Sequence, residues 1–422
     1  MYVLLRHISF SILLTLVVVS LPGEVLAQKP ECGVKRGKIS AALDEITWKK
    51  LNDIYEDVGA ELYDSAYEKL QKMYPRVHDD YQKAVVAQGL AQVEWARSNY
   101  DSALTYFEAA VALDALPDLA HFSLMYQIAQ LYYSKDRYDE ALEKLALWMC
   151  KVPADKVTAE AYILMASIYA QKKDWKNVVT SVETAISMSA EPKEGWYQLK
   201  LASHFELEQF PKAAQTLEVM IQYWPDKKDY WIQLSQIYYK LNKYDEALSV
   251  MALAYRRNML AKQSDIVYLS NLYSNNDVPF KAAEVLQKGI EDGLVESSKK
   301  YWTVTADAWY AAEEMEKALV AYAKAGQASD DGEIDLRRAY ILVDMERWSE
   351  ASTAVAAALE KGGFNERKTG DAYVIQGMSE FHLGNYDKAS TAWGRAGKYP
   401  KAQKAAQQWM NHMREERARK SS

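Results

Sequence analysis

Proline and glycine are scarce in this chain, with 10 prolines and 17 glycines among 422 residues. Both residues interrupt helices, so their scarcity and the lack of a Pro-, Gly- or Ser-rich linker favour a largely helical chain without flexible connectors. Histidine is also rare. None of the histidines beyond residue 7 has the His-Glu-x-x-His spacing of a metal site; they are His78, His121, His204, His382 and His412. The sequence therefore predicts neither a metal ion nor a cofactor.

Motifs for catalysis are missing as well. The segment from Gly33 to Ile39 resembles a phosphate-binding loop, but it is one residue short, lacks the Ser/Thr after the Lys and follows no predicted strand. No Gly-x-Ser-x-Gly turn occurs, so we predict no catalytic residue and do not expect an enzyme. The formal net charge of −7 and the absence of a Lys/Arg stripe with interleaved aromatics argue against nucleic acid as the ligand.

What the chain does contain is a four-residue phrase that recurs ten times. In most copies an aromatic residue, two polar residues and Ala follow one another, as in Tyr100-Asp-Ser-Ala103. The copies begin at Tyr63, Tyr100, Tyr138, Trp175, Phe210, Tyr244, Pro279, Met315, Trp348 and Tyr386, and successive copies are 33 to 38 residues apart. A near-constant period of this length indicates a stacked repeat in which each unit buries its apolar face against its neighbours.

Around each phrase the apolar spacing predicts two helices joined by a turn. Residues three and four apart form one stripe, as in Leu234-Ser235-x-x-Tyr238 before the turn and Ala247-x-x-x-Met251 after it. A small residue in the first helix should let the two helices approach closely; it is Ala129, Ala166, Ser235, Ser270, Ala306 or Gly377. In the fifth unit Leu201-Ala202 lies one residue out of register. The Asp of the phrase should bond free N–H groups at the start of the second helix.

These motifs resemble the tetratricopeptide repeat over residues 44–399. The resemblance implies an all-α chain of about twenty-one helices: a right-handed superhelix, or α-solenoid, of about ten helix-turn-helix units with a last helix. That last helix lies in residues 400–422 and carries a stripe of Ala402, Ala405, Ala406, Trp409 and Met413. A solenoid needs a terminal element with one polar face, so this helix is predicted to be the C-terminal cap, followed by a short basic tail.

Residues 1–27 have the pattern of a secretory signal peptide. Arg6 precedes a twelve-residue apolar run, and Val25-Leu-Ala27 predicts cleavage after Ala27. An uncleaved anchor is the alternative, but the run is shorter than the roughly 20 residues that span a bilayer. The bacterial style of the signal predicts a periplasmic protein with a leader over residues 28–43. Cys32 lacks a lipidation motif. Cys32 and Cys150 are candidates for a disulfide in an oxidising compartment, the alternative for Cys150 being a buried apolar role.

In the family that this chain resembles, the first helix of each unit lines the inner face of the solenoid. Side chains outside the core stripe are then candidates for a partner-binding groove: Tyr126, Gln130, Tyr133, Gln236, Tyr239, Tyr268, Asn271, Asp307 and Tyr310. Family members that hold a C-terminal carboxylate use Lys and Asn on neighbouring first helices, whereas this chain has Ile232, Val267 and Thr303 there. Rows of Tyr and Gln suit an extended or proline-rich segment instead.

The layout as a whole is similar to exported tetratricopeptide proteins associated with the TonB system of Gram-negative bacteria. That resemblance implies a non-enzymatic accessory scaffold for TonB, ExbB and ExbD, which energise the uptake of iron-siderophore complexes and other nutrients. The expected partner is a periplasmic segment of TonB, ExbD or a TonB-dependent receptor, and TonB is proline-rich in its periplasmic stretch. The alternative is a scaffold for envelope assembly, in outer-membrane protein insertion, peptidoglycan coordination or polysaccharide export.

Overall fold

The structure is a computed structural model, and it describes residues 32, 36–37, 39 and 41–421, without the side chains of 420–421. This part of the chain contains 21 α-helices, two short 3-10 turns and no strand. The all-α prediction and the expected helix number are confirmed. The predicted signal peptide lies outside the described residues, as does much of the leader. The chain divides into two compact units, Met1–Asp174 and Trp175–Ser422.

The first unit contains three helical hairpins and a seventh helix. In chain order its helices are α1 (Glu45–Gly59), α2 (Tyr63–Met73), α3 (Asp80–Ala96), α4 (Tyr100–Ala112), α5 (Asp118–Ser134), α6 (Tyr138–Lys151) and α7 (Ala159–Gln171). The 3-10 turns Tyr74–Arg76 and Ala154–Lys156 follow α2 and α6.

The second unit begins with α8 (Trp175–Met188) and continues as six hairpins and a last helix. These helices are α9 (Glu194–Glu206), α10 (Phe210–Tyr223), α11 (Lys228–Lys240), α12 (Tyr244–Arg256), α13 (Gln263–Asn275), α14 (Pro279–Glu291), α15 (Lys299–Ala311), α16 (Met315–Gln327), α17 (Glu333–Asp344), α18 (Trp348–Lys361), α19 (Glu366–His382), α20 (Tyr386–Ala396) and α21 (Gln403–Ser421). Each unit is an α-solenoid, because every hairpin packs on the next one along the chain.

All ten copies of the phrase begin a second helix at their first residue. The last residue of each copy, Ala in nine cases and Val178 in the fourth, has an exposed fraction of 0%. The residue two positions before each copy has a positive φ, between 53° and 78°, and only Gly384 among the ten is a glycine. The N–H after it donates to the carbonyl five residues back at 2.8–2.9 Å. Each first helix thus ends in the same left-handed turn.

The predicted capping role of the Asp in the phrase is wrong. The second helices α2, α4 and α6 have no side-chain cap, because the aromatic residue already begins the helix and the Asp lies inside its first turn. The carboxylates instead pair with the next hairpin: Asp64 with Arg97 at 2.9 Å and Asp101 with Lys135 at 2.9 Å. In these two copies the acidic residue of the phrase therefore links successive hairpins.

The small residues of the first helices are buried where predicted, and the hairpin of α9 and α10 departs from the pattern. There Leu201, not a small residue, takes the buried position nine residues before the second helix, while Ala202 is exposed. The helix thus keeps its register and carries a larger side chain. The hairpin of α19 and α20 instead requires the smallest residue at this position. A Cβ on Gly377 would lie 2.3 Å from the indole nitrogen of Trp393.

The last helix covers the end of the second unit in the way the stripe predicted. Ala402, Ala406 and Met413 are buried. The ring of Trp409 stacks on that of Trp393, with centroids 5.8 Å apart and planes 16° apart. These side chains and Phe381 belong to one apolar cluster. Because α21 packs on this cluster, the hairpin of α19 and α20 does not present its apolar face to water.

Candidate functional site

The first helices of the second unit lie side by side and are joined by polar contacts. Each contact connects a first helix with the next first helix: Gln198 to Tyr230 at 2.9 Å, Asn275 to Tyr239 at 3.3 Å, Gln263 to Tyr301 at 3.1 Å, Arg337 to Asp307 at 2.9 Å and Lys368 to Glu333 at 2.5 Å. The layer therefore runs from α9 to α19. We call its solvent-facing side chains the first-helix face.

Four of the predicted groove residues lie exposed on this face. Tyr239 and Tyr310 have exposed fractions of 40% and 43%. Gln236 and Asn271 are exposed as well, and within the described part of the chain their amide groups make no hydrogen bond. An unpaired carboxamide offers one acceptor and two N–H donors, the complement of a peptide group. All four side chains are thus accessible to a ligand, although the Tyr239 hydroxyl already accepts a hydrogen bond from Asn275 at 3.3 Å.

Tyr268 is less accessible than these four residues, and the prediction that it lies outside the core is wrong. Its ring packs against the apolar core of the second unit, and its hydroxyl lies 3.3 Å from Oγ of Ser235. Burial raises the pKa of Tyr268, and the bond to Ser235 opposes that rise. The reason is positional: Tyr268 is two residues before Ser270, so its ring lies toward α11 and is half-buried. It is a structural residue of the stack.

In the first unit the predicted residues divide in the same way. Gln130 is exposed, and no hydrogen bond of its amide is found in the described structure. Tyr126 is half-buried against Trp148, with ring centroids 4.8 Å apart, and burial raises its pKa. Tyr133 is half-buried and lies near Tyr138, with centroids 6.1 Å apart. Gln130 and the outer edge of Tyr133 are the parts available to a ligand.

Sequence reasoning missed three residues that share the register of the exposed ones. Carboxamides occur eight residues before the second helix in four hairpins, at Gln92, Gln130, Gln236 and Asn271, and exposed aromatics occur five residues before it, at Trp95, Phe205, Tyr239 and Tyr310. Of these Gln92, Trp95 and Phe205 were not predicted. Counting backwards from the phrase would have found them, since residues three apart lie on one helix face.

Among the candidate groove residues only Asp307 carries a charge, and it is paired. Asp307 pairs with Arg337 and also accepts a hydrogen bond from the Tyr322 hydroxyl, and burial followed by this bond raises the pKa of Tyr322. Ile232 and Val267 are half-buried, and the Thr303 hydroxyl donates to the carbonyl of Lys299 at 2.7 Å. The positions where the family would carry a carboxylate clamp therefore lack unpaired cations.

Other kinds of site find no support in the described residues. Among them no three His, Cys, Asp or Glu side chains come together as a metal ion would require. Within the same residues, no helix is both long and apolar enough to cross a membrane.

Comparison with known proteins agrees with the hairpin pattern. The tetratricopeptide-repeat family matches residues 89–148, 202–261 and 336–408. None of the curated proteins matches the chain.

Solved structures of tetratricopeptide-repeat proteins are similar in part. A repeat protein from Parabacteroides merdae has 11% identity and a TM-score of 0.36, with 67% of this chain and 93% of that one covered. YrrB, described as having an unusual peptide-binding site, has 16% identity and a TM-score of 0.34 over 47% of this chain and 100% of its own. The TPR2AB domain of yeast Sti1, in a complex with pHSP90, has 12% identity and a TM-score of 0.33 over 61% and 96%. Similarity at these TM-scores supports no conclusion about ligands.

The family match falls on hairpins that the phrase, the left-handed turn and the buried Ala already define. The chain therefore contains tetratricopeptide repeats in these three stretches.

Proposed function

We propose that this protein is a periplasmic scaffold whose first-helix face binds an extended, uncharged segment of a partner protein, and that the partner belongs to the TonB–ExbB–ExbD system. Tetratricopeptide repeats are protein–protein interaction scaffolds and are typically not enzymes. The observation that carries the proposal is the pairing of an unbonded carboxamide with an exposed aromatic ring one helical turn away, as in Gln236 and Tyr239.

The chemistry of this pairing matches an extended chain. A carboxamide donates to a peptide carbonyl and accepts from a peptide N–H, so it binds backbone without regard to side chains. An aromatic ring offers a flat apolar surface on which a proline ring can lie. A proline-rich segment is already extended before it binds, so it loses little conformational entropy. The face between α11 and α15, with Gln236, Asn271 and Tyr310, offers both kinds of group.

The choice of partner rests on the layout of the chain and on ligand chemistry. The predicted signal peptide supports export, and the periplasmic stretch of TonB is proline-rich in its family. An uncharged, proline-containing segment is what the first-helix face suits. The scaffold for envelope assembly is the other outcome of the tests below.

A binding titration tests the face. A labelled peptide from the proline-rich stretch of TonB is titrated with the mature protein and followed by fluorescence anisotropy. Stacking on an aromatic ring contributes about 0.5–1.5 kcal/mol, and 1.4 kcal/mol is about tenfold in affinity. The Tyr239→Ala/Tyr310→Ala variant should therefore bind about tenfold more weakly or worse. Tyr223→Ala is the matched control, because Tyr223 is 50% exposed on the second helix α10. Equal losses in both variants would refute the face as the site.

Growth assays test the pathway. A deletion strain should grow poorly on iron-siderophore complexes and normally on nutrients that diffuse freely. The wild-type gene and the Tyr223→Ala gene should restore growth, and the Tyr239→Ala/Tyr310→Ala gene should not. Normal TonB-dependent uptake together with a leaky envelope would reject this partner and favour the assembly scaffold.

A further inference from the structure

The leader carries one arginine whose side chain lies deep in the first unit. Arg36 is far from its partners in sequence, and its side chain is only 9% exposed. Its Nε donates to the Asp114 carboxylate at 2.8 Å and its Nη1 donates to the Asp118 carboxylate at 2.9 Å. Its Nη2 donates to the backbone carbonyls of Asp114 and Leu116 at 2.9 and 2.8 Å. The guanidinium thus meets four acceptors of the loop between α4 and α5.

An aromatic ring and a buried histidine complete the surroundings of the guanidinium. The Arg36 Cζ lies 5.8 Å from the centre of the Phe122 ring, within reach of a cation–π contact. His121 is 6% exposed, and its Nε2 lies 3.6 Å from the Asp114 carboxylate. Its Nδ1 is buried and has no hydrogen-bond partner. An ordinary ion pair at a surface needs neither feature.

The acceptors match a guanidinium more closely than an ammonium ion. Arginine presents its N–H groups in a planar fork, so one side chain reaches two carboxylates and two carbonyls at once. A lysine ammonium has three donors at a single point and cannot satisfy all four. The carboxylates also remain open to water on their other side, since the Asp114 and Asp118 side chains are 64% and 67% exposed. A guanidinium from outside can therefore approach them.

A disulfide holds Arg36 close to this pocket. Cys32 is bonded to Cys150 near the end of α6, with their Cα atoms 4.6 Å apart. Arg36 is only four residues beyond Cys32 in the chain. A ligand tethered by a short linker has an effective concentration in the millimolar range, and a free ligand must compete with it.

We infer that the loop between α4 and α5 forms a guanidinium-binding pocket whose resident ligand is Arg36, and that the Cys32–Cys150 tether excludes an arginine side chain of another protein from it. The pocket consists of Asp114, Asp118, the carbonyl of Leu116, Phe122 and His121. It is a site on the first unit apart from the first-helix face, and it does not depend on the function proposed for that face.

Chemical rescue tests the pocket. Arg36→Ala is titrated with N-acetyl-arginine amide while the ring signals of His121 are followed by NMR. We expect saturable shifts with the arginine derivative and none with N-acetyl-lysine amide. The Arg36→Ala/Asp114→Asn variant should lose the response. If Arg36→Ala does not fold, Arg36→Lys serves in its place. A folded variant that shows no saturable response, or that responds equally to the lysine derivative, overturns the inference. Arg36 would then only hold the leader against the first unit.

A second titration tests the tether. A labelled peptide with a single arginine is added to the wild-type protein and to Cys32→Ser/Cys150→Ser. Without the disulfide, Arg36 is held near the pocket only by its chain connection to α1, so its effective concentration should fall and the peptide should bind several-fold more tightly. The same peptide with lysine in place of arginine is the control. Equal affinity of both proteins for the arginine peptide would contradict the role of the disulfide.

Discussion

Gly377 in α19 is the position where a single methyl group should be most damaging. An added Cβ would lie 2.3–2.6 Å from three atoms of the Trp393 indole, closer than atoms can approach. The indole cannot move aside, because Trp393 is fully buried, donates through Nε1 to the Val374 carbonyl at 3.3 Å and stacks on Trp409. Forcing extra volume into such a core costs about 1–3 kcal/mol.

A helical glycine also has an intrinsic cost that alanine removes. Replacing Gly by Ala in a helix stabilises by about 0.5–1 kcal/mol when nothing interferes. At Gly377 this gain is smaller than the steric cost, so Gly377→Ala should destabilise by about 1–2 kcal/mol. Gly394 in the paired helix α20 is the matched control, since no atom lies within 4 Å of its added Cβ. Gly394→Ala should stabilise by about 0.5–1 kcal/mol.

Hydrogen exchange of α19 and α20 is the suitable assay, because a solenoid unfolds locally near its ends and a single melting temperature averages over units. Protection should fall in Gly377→Ala and rise in Gly394→Ala. If both variants gain protection, Trp393 is not held as the structure shows, and the packing argument fails.

Three further outcomes follow from the structure. Gly384→Ala should destabilise by about 1–2 kcal/mol, because its φ of 78° strains any residue with a Cβ; denaturant unfolding measures this. Truncation after Tyr399 should uncover Trp393 and lower solubility and melting temperature; unchanged values would show that α21 is no cap. Burial lowers the pKa of His204 below its ordinary 6.5. As pH falls, His204 is therefore protonated in the unfolded chain before it is protonated in the folded protein, so the free energy of unfolding should decrease below about pH 6.5. The decrease should be smaller in His204→Gln.

Features that lie within one hairpin could be predicted from the sequence. The phrase predicted a second helix in every unit, because its Ala is the contact point with the first helix, although each helix begins at the first residue of the phrase and not after its Asp. The stripe through Ala402 and Met413 predicted the cap for the same reason. Local periodicity contains this information.

Features that depend on a neighbouring hairpin could not be predicted in this way. The Asp of the phrase could have capped its own helix, and only the structure shows Asp101 bonded to Lys135 of the next hairpin. Tyr268 is a residue type that suits a binding groove, yet its hydroxyl lies within hydrogen-bond distance of Ser235 on the preceding first helix. The pocket for Arg36 joins residues about eighty positions apart, a separation that no local pattern encodes.

For the site, sequence reasoning predicted the kind of side chain better than the particular residues. Gln130, Gln236, Asn271, Tyr239 and Tyr310 are exposed as a groove requires, whereas Tyr126 and Tyr268 are engaged in packing. Whether the exposed residues bind a partner stays a prediction.

Site-specific photo-crosslinking in living cells tests the central claim most directly. A photoreactive amino acid replaces Tyr310 on the first-helix face or, as the control, Tyr223 on α10. We predict a covalent adduct with TonB, ExbD or a TonB-dependent receptor from position 310 and none from position 223. No adduct from position 310, or the same adduct from both positions, would contradict the binding of an extended partner segment on this face.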